Sequence, residues 1–274
     1  MIIKSLNHQY KVGDFVGNAN EYRLYLAIQE ETEQKCLLQV ATKTSDNGAL
    51  DRAAYILREL KKHSDGLEEE YTKVKKNPDS FLNYDLGFPE IAGSFICQEQ
   101  GGRRINILAF RSVESPRQMV PLNIITDTYG LRVDLRTTAW IMGKTLKMLD
   151  FAHSADISVN LMSSRNILVE RDQHYVVIFD WSIAETHQGK IPREARQKDI
   201  SESARAIIRT LGGDSKKGSI PNDGSNAYEK YTDYLFDLAN GRESDAKRAH
   251  KNFYELVDSF WKKEFYPFTA KNLI

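Results

Sequence analysis

The chain has 274 residues, 41% of them hydrophobic, and its 38 lysines and arginines are matched by 38 aspartates and glutamates. This length fits one large domain or two small ones, since a domain usually holds roughly 100 to 200 residues. Zero net charge argues against a nucleic-acid partner, which a basic surface would serve. No apolar run approaches the roughly 18 residues of a membrane helix and no signal peptide is present, so we expect a cytoplasmic protein without a membrane partner.

The first part of the chain predicts a small antiparallel sheet with one helix. From Leu50 to Leu60, apolar residues recur at the spacing of a helix that buries one face. We therefore expect a β-rich N-lobe over residues 1–115. Four segments have the apolar or alternating character of strands: 22–28, 35–42, 90–98 and 104–110.

The rest of the chain is predominantly helical, with two short strands at 167–169 and 176–179. Two prolines indicate a hinge over residues 116–122. The predicted fold class is therefore α+β, with a helical C-lobe over residues 123–274. Its helices are expected at 135–153, 201–211, 227–239 and 246–261.

Two further features of the sequence are expected to be structural. Cys36 and Cys97 lie in apolar surroundings without metal-ligand spacing, so we expect buried free thiols. The aromatic segment 260–268 is expected to pack on the C-lobe, and if exposed it would form a partner-binding patch.

Two polar residues stand at the ends of the two short strands. Asn166 comes directly before strand 167–169, and Asp180 comes directly after strand 176–179. Oxygen ligands on adjacent strand ends suit a hard cation such as Mg²⁺ bound with nucleotide phosphates. The sequence therefore makes Asn166 and Asp180 candidate metal ligands.

The stretch 149–182 resembles the protein kinase-like superfamily. The loop before Asn166 looks like the HRD-x-x-x-x-N catalytic loop of that family, and the run from Phe179 to Ser182 looks like its DFG region. The resemblance implies a two-lobed fold, ATP and Mg²⁺ as cofactors, and Asn166 and Asp180 as nucleotide- and metal-binding residues. The compact C-lobe is similar to that of bacterial minimal kinase-like proteins.

The catalytic base that this resemblance requires is absent. Leu161 stands five positions before Asn166, where the family has its aspartate, and a leucine does not accept a proton. Asp156 is the substitute we considered, but its use as a base would need an insertion in the loop. We therefore predict no catalytic residue.

The glycine-rich loop of the family is only partly present, and the strand lysine cannot be assigned to a single residue. Gly17 is the one loop glycine that remains, since Ala19 and Tyr22 occupy the other two glycine positions. One register of strand 35–42 makes Lys43 the phosphate-binding lysine. The other register puts Gln39 in that place and makes Lys43 the start of a turn.

The helix partner of the lysine depends on the same choice of register. Glu59 has the charge that the ion pair needs, whereas the alternative register places Ala53 at the glutamate position. Asp199 and the apolar helix after it resemble the family helix that anchors the large lobe, which gives Asp199 a structural role. An aspartate at a helix start is also an ordinary N-cap. Only 18 residues separate Asp180 from Asp199, too few for a usual activation loop.

These features predict a pseudokinase, a regulatory or scaffolding domain in signalling that binds a protein partner and retains a nucleotide site. The alternative is an active kinase-fold transferase. It would be a Ser/Thr or small-molecule phosphotransferase, or would use ATP for another group transfer, and it rests on the retained Asn166 and Asp180.

Overall fold

The computed structural model describes residues 1–5, 7–160, 162–262 and 264–268. Leu161, the residue at the expected base position, lies outside these described residues. Within the described ranges, no helix combines the length and the apolar character needed to cross a membrane.

The chain folds as two compact units, each of which draws on two separate stretches of sequence. Unit 1 comprises Met1–Gln118 and Asp180–Ala184, and unit 2 comprises Met119–Phe179 and Glu185–Ile274. The first division between them lies inside the segment 116–122.

A six-stranded antiparallel sheet forms most of unit 1. Its strands are β1 (Ile2–Lys4), β2 (Gln9–Asn18), β3 (Tyr22–Gln29), β4 (Lys35–Ala41), β5 (Glu90–Cys97) and β6 (Arg103–Ala109). Their order across the sheet is β1-β2-β3-β4-β6-β5, so β6 lies between β4 and β5. The four strands predicted from sequence are confirmed as β3 to β6, with ends that differ by at most one residue.

One helix, α1 (Asn47–Val74), packs against β5 and β6 of this sheet. The helix extends beyond the predicted segment. The prediction missed its second half because that half is charged and shows no apolar periodicity. Pairs such as Lys73 with Glu69, four residues apart, support a helix there by a few tenths of a kcal/mol each. The buried side chains follow helical spacing: Leu50, Ala53, Ala54, Ile56, Leu57, Leu60 and Ser64.

The core of unit 1 contains both cysteines. Cys36 and Cys97 are buried and free, as predicted. Burial raises the pKa of the Cys36 thiol to about 11, so it stays protonated at neutral pH. Its Sγ lies 3.7 Å from the Ala27 carbonyl oxygen, to which it donates. The thiol behaves as a small apolar side chain rather than as a nucleophile.

Four helices form most of unit 2: α2 (Leu135–Ser154), α3 (Arg193–Thr210), α4 (Tyr228–Ala239) and α5 (Ala246–Asp258). The central helix is α2, which packs against α3 and α5. All four predicted helices are present, but α3 begins well before residue 201. Its first turns are charged and show no apolar period. Asp199 therefore lies inside α3, and its interpretation as an N-cap is wrong.

Two small antiparallel sheets complete unit 2. The three-stranded sheet has β7 (Met119–Pro121) beside β9 (Ile167–Glu170), which pairs on its other side with β10 (Tyr175–Ile178). The two-stranded sheet pairs β8 (Ile157–Ser158) with β11 (Glu185–Thr186). The strands β9 and β10 were predicted, whereas β7 lies in the segment for which the sequence indicated a hinge.

The N-terminus of α2 is stabilised by a side-chain cap, and we expect its contribution to the free energy of unfolding to be measurable. Asp134 Oδ1 accepts a hydrogen bond from Thr137 N at 2.9 Å, and its Oδ2 accepts one from Thr137 Oγ1 at 2.8 Å. Asp134→Ala removes both, so the free energy of unfolding in urea should fall by about 0.5–2 kcal/mol. The matched control is Asp233→Ala on the exposed face of α4, which should change stability by less than about 0.5 kcal/mol. Equal effects of the two variants would contradict the capping role.

Candidate functional site

The two predicted metal ligands, Asn166 and Asp180, belong to different units. Asn166 is 2% exposed and comes directly before β9. Its Oδ1 accepts a hydrogen bond from Phe179 N at 3.1 Å, and its carbonyl accepts one from the same nitrogen at 3.0 Å. The Asn166 side chain therefore ties the start of β9 to the residue that follows β10.

Asp199 is fully buried on α3 and holds the backbone that leads into the loop. Its Oδ1 accepts a hydrogen bond from Asn160 N at 2.8 Å, and its Oδ2 accepts one from Val159 N at 2.9 Å. His153 Nε2 lies 3.1 Å from the same Oδ2. One carboxylate thus fixes two consecutive amides and a histidine, which is the geometry of an anchor.

Asp156, the substitute considered for the base, lies in the turn after α2. Its φ of +56° is in the left-handed region, which aspartate tolerates better than most residues. Its carbonyl accepts a hydrogen bond from His187 N at 2.9 Å. The conformation of the turn therefore explains an aspartate at this position without a catalytic role.

Asp180 is hydrogen-bonded to a tyrosine within unit 1. Asp180 is 6% exposed and Tyr22, the first residue of β3, is 3% exposed. The Tyr22 hydroxyl donates to Asp180 Oδ2 at 2.8 Å, and Ser182 N donates to Asp180 Oδ1 at 2.9 Å. Arg52 Nη1 on α1 in turn donates to the Ser182 carbonyl at 3.1 Å. Both oxygens of this carboxylate therefore accept hydrogen bonds from the protein.

A second pair of buried polar side chains continues this arrangement. Gln39 on β4 faces Asn106 on β6 in register, and they are 2% and 0% exposed. Asn106 Nδ2 donates to Gln39 Oε1 at 3.0 Å and to the Leu50 carbonyl at 2.9 Å. The Gln39 side chain also acts on Tyr22, because it partly offsets the rise in the pKa of the Tyr22 hydroxyl. We call Asp180, Tyr22, Gln39 and Asn106 the Tyr22 network.

The other small-lobe residues singled out in the sequence lie apart from this network. Lys43 is exposed, lies beyond the end of β4 and precedes the 3-10 turn Thr44–Asp46. On α1, Ala53 is buried and Glu59 is half-buried. Gly17 lies in β2, where an added Cβ would meet open space, so its backbone does not require glycine. The structure thus has Gln39, and not Lys43, inside the sheet.

Both predicted metal ligands use side-chain oxygens in hydrogen bonds within their own units. Asp180 would first have to release Tyr22, and Asn166 Oδ1 is engaged by the Phe179 amide. In the described part of the chain, no group of three or more His, Cys, Asp or Glu side chains is placed to hold a metal ion.

Sequence reasoning did not predict the roles of Tyr22 and Asn106. Asn106 carried a usable signal, because a lone amide inside the apolar run from Ile105 to Leu108 must find a buried partner. Tyr22 carried no such signal, since its only distinguishing feature is that it occupies a position where the family has a loop glycine. Its partner Asp180 lies 158 residues further along the chain.

Removal of the Tyr22 hydroxyl should destabilise the protein. Tyr22→Phe leaves the buried Asp180 carboxylate without one of its donors, so we expect the free energy of unfolding to fall by about 1–3 kcal/mol. Urea unfolding measures this difference. Tyr55→Phe is the matched control, because Tyr55 lies on α1 with 53% of its surface exposed and should change little. If Tyr22→Phe left the free energy of unfolding unchanged, the hydrogen bond from Tyr22 to Asp180 would contribute nothing to stability.

The same hydroxyl should make stability fall at alkaline pH. Burial, and then the negative charge of Asp180, raise the pKa of Tyr22 far above its ordinary value. Above about pH 10 the unfolded chain loses a proton that the folded protein keeps, so the free energy of unfolding falls as pH rises.

The stability advantage of the wild type over Tyr22→Phe should therefore shrink above about pH 10. The limiting slope is about 1.4 kcal/mol per pH unit. Urea titrations of both proteins between about pH 9 and about pH 11 measure it. The other buried tyrosines are common to both proteins and cancel in the difference. An advantage that stays constant with pH would contradict the raised pKa.

The arrangement of elements is shared with a solved kinase domain. The crystal structure of the BubR1 kinase domain is similar to this chain with a TM-score of 0.58, over 95% of this chain and 86% of that one, at 11% sequence identity. No protein-family model and no curated protein sequence matches the chain. At this identity the likeness establishes the fold alone. The chain has the α+β, two-lobed protein kinase-like fold that the sequence predicted.

Proposed function

We propose that the chain is a pseudokinase, a kinase-like domain that regulates or scaffolds signalling by binding a protein partner instead of transferring phosphate. The observation that carries the proposal is the hydrogen bond from Tyr22 to Asp180. It engages the carboxylate that an active kinase needs for Mg²⁺.

The Tyr22 network also weakens nucleotide binding. To offer Asp180 to a metal ion, the protein must break a hydrogen bond to a charged group, which costs about 1.5–3 kcal/mol. That cost lowers the affinity for a Mg²⁺–ATP complex roughly 10- to 150-fold. Because Gln39 is neutral, it offers no positive charge to the phosphates. Any residual binding of ATP and Mg²⁺ is therefore expected to be weak.

The sequence of the loop supports the same proposal. Leu161 stands where the kinase-like family has its catalytic aspartate, and its side chain neither accepts a proton nor orients a hydroxyl group. Asp199 anchors the backbone before Leu161, so the loop keeps a structural role without the base. A kinase-like fold that lacks this chemistry acts through binding, and the partner we propose is a protein.

A thermal shift assay with ATP and Mg²⁺ tests the nucleotide part of the proposal. The wild type should show little shift at a concentration that saturates ordinary kinases, whereas Tyr22→Phe should show a larger one, because Asp180 is released. Binding at a hundredfold excess over Kd would add about 2.7 kcal/mol of stability. The double variant Tyr22→Phe with Asp180→Asn is the control and should lose the gain.

A phosphotransfer assay separates the scaffold from the alternative transferase. Turnover by the wild type that Asp180→Ala abolishes would show that the protein is an enzyme. A protein partner cross-linked in cells should bind the Asp180→Asn variant with the affinity of the wild type, since the proposed function does not use a metal ion. A partner that bound only the ATP-loaded protein would contradict a nucleotide-independent scaffold.

A further inference from the structure

The first half of α1 carries three exposed cations on the side that faces away from the sheet of unit 1. Arg52, Arg58 and Lys62 are exposed, whereas the buried side chains of this helix lie on its other side. Positions three or four apart are neighbours on a helix surface, so Tyr55 lies between Arg52 and Arg58, and Lys62 follows Arg58. We call Arg52, Tyr55, Arg58 and Lys62 the α1 basic face.

The positive charge of this face is not neutralised by nearby carboxylates. The two aspartates closest to it on α1 are engaged elsewhere: Asp51 Oδ1 lies 3.0 Å from Arg104 Nη2, and Asp65 pairs with Lys61. Within the described ranges, the three cations of the face form no ion pair. Other arginines of unit 1 do pair with aspartates: Arg111 with Asp85, and Arg117 with Asp14. The chain as a whole has zero net charge, so this excess is local.

The stability of the helix does not explain this charge pattern. Arg58 and Lys62 are four residues apart, and like charges at that spacing destabilise an isolated helix. A carboxylate four residues before Lys62 would stabilise the helix instead, as Glu69 does before Lys73 in the second half of α1. The repulsion between the two cations is relieved when a negatively charged partner lies against them.

Exposed apolar side chains accompany the cations. Tyr55 is 53% exposed, and Ile183, from the second stretch of unit 1, is 36% exposed. Arg52 Nη1 donates to the Ser182 carbonyl at 3.1 Å, which brings the neighbouring residue Ile183 to the N-terminal end of the face. Tyrosine and arginine are enriched among the residues that carry the binding energy of protein interfaces. This combination of charge and apolar surface fits a protein segment better than a small anion.

We propose that the α1 basic face binds an acidic segment of the protein partner. Carboxylates of that segment pair with Arg58 and Lys62, and an apolar side chain between them packs against Tyr55. Complementary charge of this kind speeds association and selects among partners. The inference rests on the proposed function, since it names the chemistry of the partner that this function requires.

A photo-reactive phenylalanine analogue at position 55 tests the face in the whole chain. Irradiation in the cells that produce the protein attaches the analogue to whatever lies against it, and mass spectrometry then gives the sequence of the attached peptide. We expect that peptide to contain more Asp and Glu than Lys and Arg. The same analogue at position 230, on the exposed side of α4, is the control and should not capture this peptide.

Arg58→Glu is the variant that tests the role of charge, because it should leave the fold intact. It places a carboxylate four residues before Lys62, which is favourable in a helix. The captured partner, once purified, should bind this variant at least about tenfold more weakly than the wild type, because like charges then face each other. Lys230→Glu makes the same change of charge on the exposed side of α4 and should bind the partner as the wild type does.

Three results would overturn the inference: no capture from position 55, a captured peptide that is neutral or basic, or an affinity that Arg58→Glu leaves unchanged. None of them would overturn the proposed function, since a partner captured from position 230 alone would still be a protein bound through another surface. Turnover in the phosphotransfer assay, in contrast, would overturn the proposed function itself. The two failures are therefore distinguishable.

Discussion

A buried carboxylate has to be satisfied by hydrogen bonds, and in unit 1 this requirement acts on Asp180. A charge withdrawn from water carries a large cost unless donors surround it. In this structure the Tyr22 hydroxyl and the Ser182 amide are donors to that carboxylate. Asp180 thereby contributes to the stability of unit 1, in which the buried side chains of Gln39 and Asn106 form a further hydrogen bond between β4 and β6.

Unit 2 meets the same requirement with a different set of donors. The buried carboxylate of Asp199 takes two backbone amides and the side chain of His153, so it organises a loop and not a ligand site. Asn166 plays a similar part between β9 and Phe179. Residues that resemble the catalytic residues of kinases thus make structural hydrogen bonds inside this fold. Sequence motifs of this kind are better evidence of a fold than of an activity.

Much of the fold could be predicted from local pattern, whereas the Tyr22 network could not. Apolar periodicity located α2 and the strands β3 to β6, because each of these elements buries one face or both. It missed the first turns of α3, which are charged, and it missed β7, which is too short to show a period. The sequence did not decide whether Lys43 or Gln39 corresponds to the strand lysine, because an apolar run carries no marker of strand register. The bond from Tyr22 to Asp180 joins residues 158 apart, and no local rule specifies such a contact.

The division of unit 1 into two stretches of sequence bears on the order in which the chain is made. Residues 1–118 leave the ribosome first, but this unit also includes Asp180–Ala184, in which Trp181 is 1% exposed. A nascent chain that ends before residue 180 lacks this indole, and Tyr22 still lacks its carboxylate partner. The N-terminal sheet must therefore wait for more than sixty further residues before its packing is complete, although domains commonly fold in the order of their synthesis. During that interval the unfinished core exposes apolar surface, which makes partly folded chains prone to aggregate.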